Sequence, residues 1–404
     1  MKLYSRHLIV SIIFSCLCSN DLFASGFQIF EMGTGIIGTA AVGQATTFDA
    51  STSYFNSAAM TKLRDSQAQL ASQLFITQIK FRPNRYNTFS GSSGRNAGGI
   101  LSGMSFFGVF DYNEDIKFGL SVTSPFGGLV AYNDGWVGRY FNQGADLLTL
   151  DLNPSVAYKI HDCLSVGVGL FVEYATLENT SAVPILSPGD GQADVNAHSY
   201  APGANLGLLW TPVCGTNIGI AYRSRVNHHL KGNLSFLRLD LIPAVSVIIK
   251  TPQSVISSFS QEIAPDFTLL GEVAWVNWKV FKNTDVQIAG ITLPTPKNWK
   301  NTYRLGIGGH YLVCENWIAK GGVSYDSSPC NERERLPNLP VDKQWRIGTG
   351  LLYKTCENVE LGLDYEYISF GKASIFNATR LGTLSGHYVR NRGQVFAIHM
   401  NIGL

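Results

Sequence analysis

Along most of this chain apolar and polar residues alternate one by one, and short polar turns interrupt the alternation at regular intervals. The clearest units are Tyr158-Lys159-Ile160-His161-Asp162-Cys163 followed by 164–174, and Tyr353-Lys354-Thr355-Cys356-Glu357-Asn358 followed by 359–367. In the first, Leu164, Val166, Val168, Leu170, Val172 and Tyr174 share one face; Ser165, Gly167, Gly169, Phe171 and Glu173 share the other. In the second, Val359, Leu361, Leu363, Tyr365 and Tyr367 oppose Glu360, Gly362, Asp364 and Glu366. A period of two puts each set on its own side of a pleated strand. A face of Gly, Ser and carboxylates does not make a dry core. It suits the wet interior of a barrel whose outer face meets lipid.

The remaining short turns are Asp111-Tyr112-Asn113-Glu114-Asp115, Pro212-Val213-Cys214-Gly215-Thr216, Pro265-Asp266 and Cys314-Glu315-Asn316. Their Pro, Gly, Asn and Asp supply turn geometry and satisfy turn backbone groups. Longer polar or Gly-rich stretches separate them, among them 82–97, 183–197 and 329–342. Short turns on one side and long loops on the other is the outer-membrane arrangement. Six short turns joining seven hairpins predict a 14-stranded antiparallel transmembrane β-barrel, an even number that closes without an exposed edge. At the C-terminus Phe396, Ile398, Met400, Ile402 and Leu404 alternate with Ala397, His399, Asn401 and Gly403. A chain ending in mid-strand needs a partner, and the first strand, about 67–81, is the candidate. A large soluble β-sandwich or barrel is the alternative. The lipid-compatible faces Trp345/Ile347/Leu351/Tyr353 and Tyr303/Leu305/Ile307/Tyr311/Val313 weigh against it.

Composition agrees: charged residues make up 15%, against roughly 25% in soluble domains. A net charge of +2 points to no nucleic-acid partner. No segment after the first two dozen residues approaches the ~20 apolar residues of a spanning helix. The N-terminus carries Lys2, Arg6 and His7 before an apolar run from Leu8 to Cys18, which reads as an export signal over 1–24 cut after Ala24. That places the mature protein in the outer membrane of a Gram-negative bacterium. Cys163, Cys214, Cys314 and Cys356 sit in four different short turns and Cys330 in a long loop. Neighbouring turns are two strand spacings apart, roughly 10 Å, beyond the ~7 Å that a disulfide spans. Reduced thiols are therefore expected, with no metal site and no cofactor.

Residues 25–66 do not alternate. Gly26, Gly33, Gly35, Gly38 and Gly43 stand among small residues, yet Phe27, Ile29, Phe30, Ile36, Ile37, Phe48, Tyr54, Phe55 and Met60 are too apolar for a solvated tail. A barrel of this strand number is too wide for its own side chains to fill, so the segment reads as a hatch, or plug, ahead of a barrel over 67–404. The run Gly26-Phe27-Gln28, Glu31, Gly35, Gly38, Ala40, Gly43, Ala45, then Asp49-Ala50-Ser51-Thr52 and Phe55-Asn56-Ser57-Ala58-Ala59-Met60-Thr61 resembles the start of the long-chain fatty acid transporter (FadL) family, which includes aromatic-hydrocarbon channels. Tyr222-Arg223-Ser224, Lys231-Gly232-Asn233, Tyr303-Arg304 and Asn316-Trp317 through Gly322 to Tyr325-Asp326-Ser327-Ser328-Pro329 extend the likeness over most of the chain. The resemblance implies a 14-stranded barrel with an N-terminal hatch. Two departures stand out. Asn56-Ser57-Ala58 replaces the family's Asn-Pro-Ala, removing a fixed φ, and the chain ends in Leu404 where such barrels commonly end in an aromatic residue.

A water-filled pore serves greasy molecules poorly; sideways release into the bilayer avoids the aqueous step but needs a hole in a hydrogen-bonded wall. The strand 116–122 runs into Thr123-Ser124-Pro125-Phe126-Gly127-Gly128, where Pro125 donates no ladder bond and two glycines follow. An inward kink in the third strand forms a lateral opening in the resembling family. Here Pro125, Phe126 and Gly127 mark either that opening or an ordinary strand end. Entry is expected at loops bearing Leu234, Phe236, Leu237, Leu239, Leu241 and Ile242, with Trp136, Tyr140 and Phe141 acting alongside, although these equally suit an upward extension of the strands. The resemblance implies a pocket closed by the hatch N-terminus, with Phe27 as its mobile residue.

For a carboxylate ligand the inward-register cations are Arg223, Arg225, Arg304, Lys320 and Arg346, with Lys297 and Lys300 near a loop. Each alternatively pairs with Glu173, Glu272, Glu360, Asp364 or Glu366 across the lumen. Ser181 and uncharged neighbours stand where the family carries a basic residue in the third long loop. Fatty acid and uncharged hydrocarbon thus both remain open as cargo. Expected surroundings are outer-membrane lipid, lipopolysaccharide and the barrel-assembly machinery, with the chain a monomer. A lipid-degrading enzyme lacks support, since no Gly-x-Ser-x-Gly occurs and the histidines show no diagnostic spacing. A polar-solute porin would have an unobstructed, charge-lined lumen, and an adhesin role of the loops is compatible with either reading.

Overall fold

The computed structural model describes residues 28–404 apart from 33, 185–188, 238–243, 289–290, 297, 357 and 380–381. The export signal, Phe27, Leu239, Leu241, Ile242 and Lys297 lie outside the described residues. Fourteen strands follow one another around a closed antiparallel barrel. β1 is Gln67–Pro83, β2 is Ile100–Asp111, and β3 is split into Ile116–Thr123 and Gly127–Ala131. β4 (Gly144–His161), β5 (Leu164–Val183) and β6 (Gly191–Trp210) are long and unbroken. β7 (Thr216–Arg223, Val226–Leu237) and β8 (Ala244–Thr251, Ser254–Ala264) each come in two pieces. So do β9 (Phe267–Val276, Asn283–Ile288) and β10 (Ile291–Pro296, Thr302–Cys314). β11 (Trp317–Asp326), β12 (Gln344–Cys356), β13 (Val359–Ser369) and β14 (Thr383–Gly403) complete the circuit.

Closure is made by β14 on β1, in register from Gln67↔Gly403 to Pro83↔Gly386 with one shift at Lys80/Phe81. The alternation sorts the two faces as its period requires. Leu170 is 67% exposed on the outside, whereas Glu173, three residues on, is fully buried inside. All six short turns lie at one end of the barrel, with the start of β1 and the end of β14. One loop expectation is corrected. The stretch 183–197 is mostly strand, with Ala193 and Ala197 paired to Ser181 and Leu177. Its inward positions Ala193, Val195 and Ala197 are apolar and buried, so the ladder continues where a polar loop was expected.

Residues 28–66 lie inside this wall as a series of short helical turns, Gly35–Thr39, Gln44–Thr46, Thr52–Phe55 and Ser57–Lys62. They fit because inward strand positions carry no side chain. A Cβ on Gly219 would overlap the Ala45 carbonyl, and one on Gly322 the Thr39 carbonyl. Polar groups complete the seat. Glu272 of β9 accepts from the amides of Gly43 (3.0 Å) and Gln44 (2.9 Å) and from the Gln44 side chain (2.9 Å). Asn56 caps the last turn by accepting from the Ala58 amide, and its own side-chain amide donates to Ala45 O (2.8 Å) and Leu208 O (3.1 Å). Such bonds satisfy backbone groups that would otherwise be stranded in the lumen.

Candidate functional site

The wall is interrupted at Ser124-Pro125-Phe126. Before the break β3 pairs with both neighbours, up to Phe106↔Val122 on β2 and Thr123↔Asp151 on β4. Beyond it, Gly127–Ala131 keeps a ladder only to β4 among the described residues, starting at Gly127↔Leu148, and on its other side Ala131 N donates to Ala97 O at 2.9 Å. Four steps along β3 thus match three along β4, the signature of a bulge, which bends its strand. Residues 100–105 of β2 keep their ladder to β1 and have no ladder partner on the β3 side among the described residues. Proline explains the place, since Pro125 has no N–H to give. Thr149 holds the kink: its hydroxyl lies 3.0 Å from both Phe126 N and Phe126 O, and its amide donates to Phe126 O at 2.9 Å.

The break opens into a cavity of about 590 Å³. Phe75, Ile79, Leu147, Leu339, Val341 and Phe370 form its apolar inner side, and Met104, Leu148 and Leu150, all facing outward, form its rim. Inner and lipid-facing residues therefore line one continuous space. At Gly128 an added Cβ would meet no atom within 4 Å. The start of the plug closes over this space. Gln28 makes a β-bridge to Phe126, and the Ile29 amide donates to Pro125 O at 2.8 Å. Glu31 anchors the strap through Arg346, 3.0 Å away, while Phe30 lies under the Arg304 guanidinium at 3.9 Å. In the sequence these residues stand out only as plug composition. Their adjacency to the Gly26-Phe27-Gln28 motif is the signal that points to them.

Four of the headgroup candidates face carboxylates. Arg223 pairs with Asp151, Arg304 with Glu272, Lys320 with Asp364 (2.7 Å), and Arg346 with Glu31, Asp326 and Glu366. Low-dielectric surroundings make such pairing the economical state of a buried charge. Around the cavity itself the charged lining is Glu31, Asp146, Glu178 and Arg346. The polar atoms Gln28 Oε1, Gln73 Oε1 and Ser124 Oγ are buried there with no hydrogen-bond partner among the described residues.

The apolar candidates fall into two groups. Leu234 and Phe236 lie in the upper part of β7, buried against Leu147, Val245 and Trp278, so they extend the strand as in the second of the two expected arrangements. Leu237 ends that strand. Trp136 and Phe141 belong to a separate loop cluster with Phe81, Tyr132 and Tyr388, where Trp136 stacks on Tyr132 at 3.9 Å. The two clusters meet the cavity from different sides, through Leu147 and Leu339 for one and Ile79 and Val130 for the other. Ser57 and Ala58 are buried in the last plug turn against β5 and β6, away from the cavity. Cys163, Cys214, Cys314 and Cys330 are unbridged, and burial pushes the Cys330 thiol up to about 11.

A family model described as outer membrane protein transport protein (OMPP1/FadL/TodX) matches residues 15–403. The long-chain fatty acid transport protein of Salmonella typhi is 24% identical, over 86% of this chain and 89% of that one. Among solved structures, a Pseudomonas aeruginosa FadL homologue superposes with a TM-score of 0.88 at 22% identity, covering 94% of this chain and all of that one. The Ralstonia pickettii toluene transporter TbuX gives 0.72 at 17% identity, over 93% and 100%. The chain therefore belongs to the OMPP1/FadL/TodX family, an outer-membrane β-barrel channel for hydrophobic compounds and not an enzyme.

Proposed function

We propose that this channel takes long-chain fatty acids from the cell surface and releases them sideways into the outer membrane between β2 and β3. The observation that carries the reading is the break at Ser124-Pro125-Phe126, which joins an apolar cavity inside to lipid-facing residues outside. Its 590 Å³ lies within the ~300–1,000 Å³ usual for small-molecule sites. Each methylene exposed to water costs about 0.8 kcal/mol, so a chain of about a dozen would lose on the order of 10 kcal/mol in an aqueous pore. A sideways exit avoids that step.

In this scheme ligand enters past the two apolar clusters, in which Leu234, Phe236, Trp136 and Phe141 are buried and form packing and not a collecting surface, then moves into the cavity as the strap 28–31 gives way. Movement of the strap breaks the Gln28–Phe126 bridge and the Glu31–Arg346 pair, linking arrival of cargo to opening of the wall. A second cargo, an uncharged hydrocarbon, is supported by one feature. Arg223, Arg304, Lys320 and Arg346 each already hold a carboxylate, and the unpartnered groups at the cavity are neutral oxygens.

Replacing Pro125-Phe126-Gly127-Gly128 by Val-Thr-Val-Thr restores ladder donors and side chains along β3. Uptake of radiolabelled oleate should then collapse while the barrel still folds; unchanged uptake would rule out release at this point. Mass spectrometry of lipid co-purifying with the native protein separates the cargoes, an acid supporting the first and a neutral hydrocarbon the second.

A further inference from the structure

A second interruption lies on the far side of β4 and β5, in register with the first. The ladders run Thr123↔Asp151, Asp151↔Glu173 and Glu173↔Ala201, so the lower lip of the β3 break is level with Ala201 of β6. There the β6–β7 ladder stops. Past the last ladder pair, Asn205↔Arg223, Ser224 N still donates to Ala204 O (2.8 Å) and Ala204 N to Ser224 Oγ (2.9 Å), and the ladder resumes at His198↔Lys231. Residues 199–203 remain paired to β5, and 226–230 to β8, but not to each other. Five residues of β6 face six of β7, again one residue out of step. Pro202 and Gly203 stand in this stretch as Pro125 and Gly127 do in the first.

The outer mouth lies at the lipid surface. Leu170 and Leu206 are exposed below it, the rings of Tyr174 and Tyr200 sit 4.6 Å apart beside it, and polar Asn227, His229 and Lys231 are exposed above it. An aromatic pair between apolar and polar belts marks the membrane interface. Unlike the first break, this one is stopped from within. Phe171 of β5 lies across Gly203, where a Cβ would overlap its ring, and packs with Ala201 and Val226. The Arg223 guanidinium covers that ring at 3.7 Å, is paired with Asp151, and lies 4.7 Å from the Tyr54 ring of the plug. Across the mouth, Ser199 Oγ meets His228 Nδ1 at 2.8 Å, and His228 Nε2 meets Glu173 at 2.7 Å.

We propose that the β6–β7 break is a second lateral portal for hydrophobic compounds, shut in this conformation by Phe171 and tied to the plug through Arg223 and Tyr54. It rests on the lateral-release reading above, and the test keeps the two separable. Uptake of radiolabelled oleate is measured in cells carrying Gly128→Phe, which obstructs the first break, alone and combined with Phe171→Ala. Gly128→Phe alone should lower uptake about tenfold; if it does not, release at the first break fails on its own account. Adding Phe171→Ala should raise uptake from that reduced level by at least about fivefold, whereas the conservative Phe171→Leu should not. Uptake held at the Gly128→Phe level in a barrel that still shows heat-modifiable migration overturns the second portal. Should Phe171→Ala fail to assemble, the charge-balanced pair Asp151→Asn/Arg223→Gln frees the same ring. The same rise is then expected, and its absence is equally decisive.

Discussion

Ser57 occupies the first turn of the segment Ser57–Lys62, after an Asn56 whose backbone is extended at φ −155°, ψ 95°. The Asn56 φ lies in the range a residue before proline prefers, while its ψ falls short of the usual ~120–160°. The Ser57 hydroxyl is buried without a partner, and its amide makes no hydrogen bond among the described residues. Gly167 and Gly207 pack closely against it, a Cβ on Gly167 falling 2.5 Å from the Ser57 hydroxyl and one on Gly207 3.2 Å from the Ser57 amide. A proline here would give up no amide hydrogen bond, and Asn56 before it is held by bonds to two carbonyls. Ser57→Pro should stabilise the protein by about 0.4–1 kcal/mol by restricting the unfolded chain. The thermal midpoint in detergent reads this as a small rise; a fall would mean that the Ser57 amide or side chain has a role the geometry does not reveal.

Between elements, the decisive contacts are those of plug on wall. Inward glycines on β7, β11 and other strands form the seat, so a β-branched side chain there should displace a plug turn without touching the outer face. Gly322→Val puts a side chain into the Thr39 carbonyl. It should leave the barrel assembled and raise permeability to a bulky hydrophilic antibiotic such as vancomycin, seen as increased sensitivity of the cells; unaltered sensitivity would count against the plug as the seal of the lumen. This element is only half legible in the sequence. Alternation in Leu164 to Tyr174 is a local property, so strand faces, turns and closure can be read directly, as can the breaker Pro125. The seat cannot, because Gly219 meets Ala45 and Glu272 meets Gly43 only once the barrel has closed around the segment. The ion pairs of Arg304 and Arg346 are visible there only as alternatives. The second break leaves no clear mark, because Pro202 and Gly203 sit in a strand whose ladder to β5 is intact.

At the scale of the whole molecule, fourteen strands close a wall with apolar residues outward and carboxylates, amides and small residues inward. Such a wall is closed to sideways passage unless its ladder is interrupted, and a plugged lumen is closed to direct passage. On the proposed reading, the route left to a hydrophobic compound is the interruption at β3, where the strap 28–31 and the cavity meet. Gly128 tests it most directly, because it lines the cavity and an added Cβ there meets no atom within 4 Å. At Gly321 of β11 an added methyl group would likewise meet no atom within 4 Å, and its place elsewhere on the wall makes it the matched control. The measurement is oleate uptake by cells carrying Gly128→Phe or Gly321→Phe at equal surface abundance. Lateral release through the β3 break predicts about a tenfold loss for the first and none for the second; equal uptake by the two would contradict it.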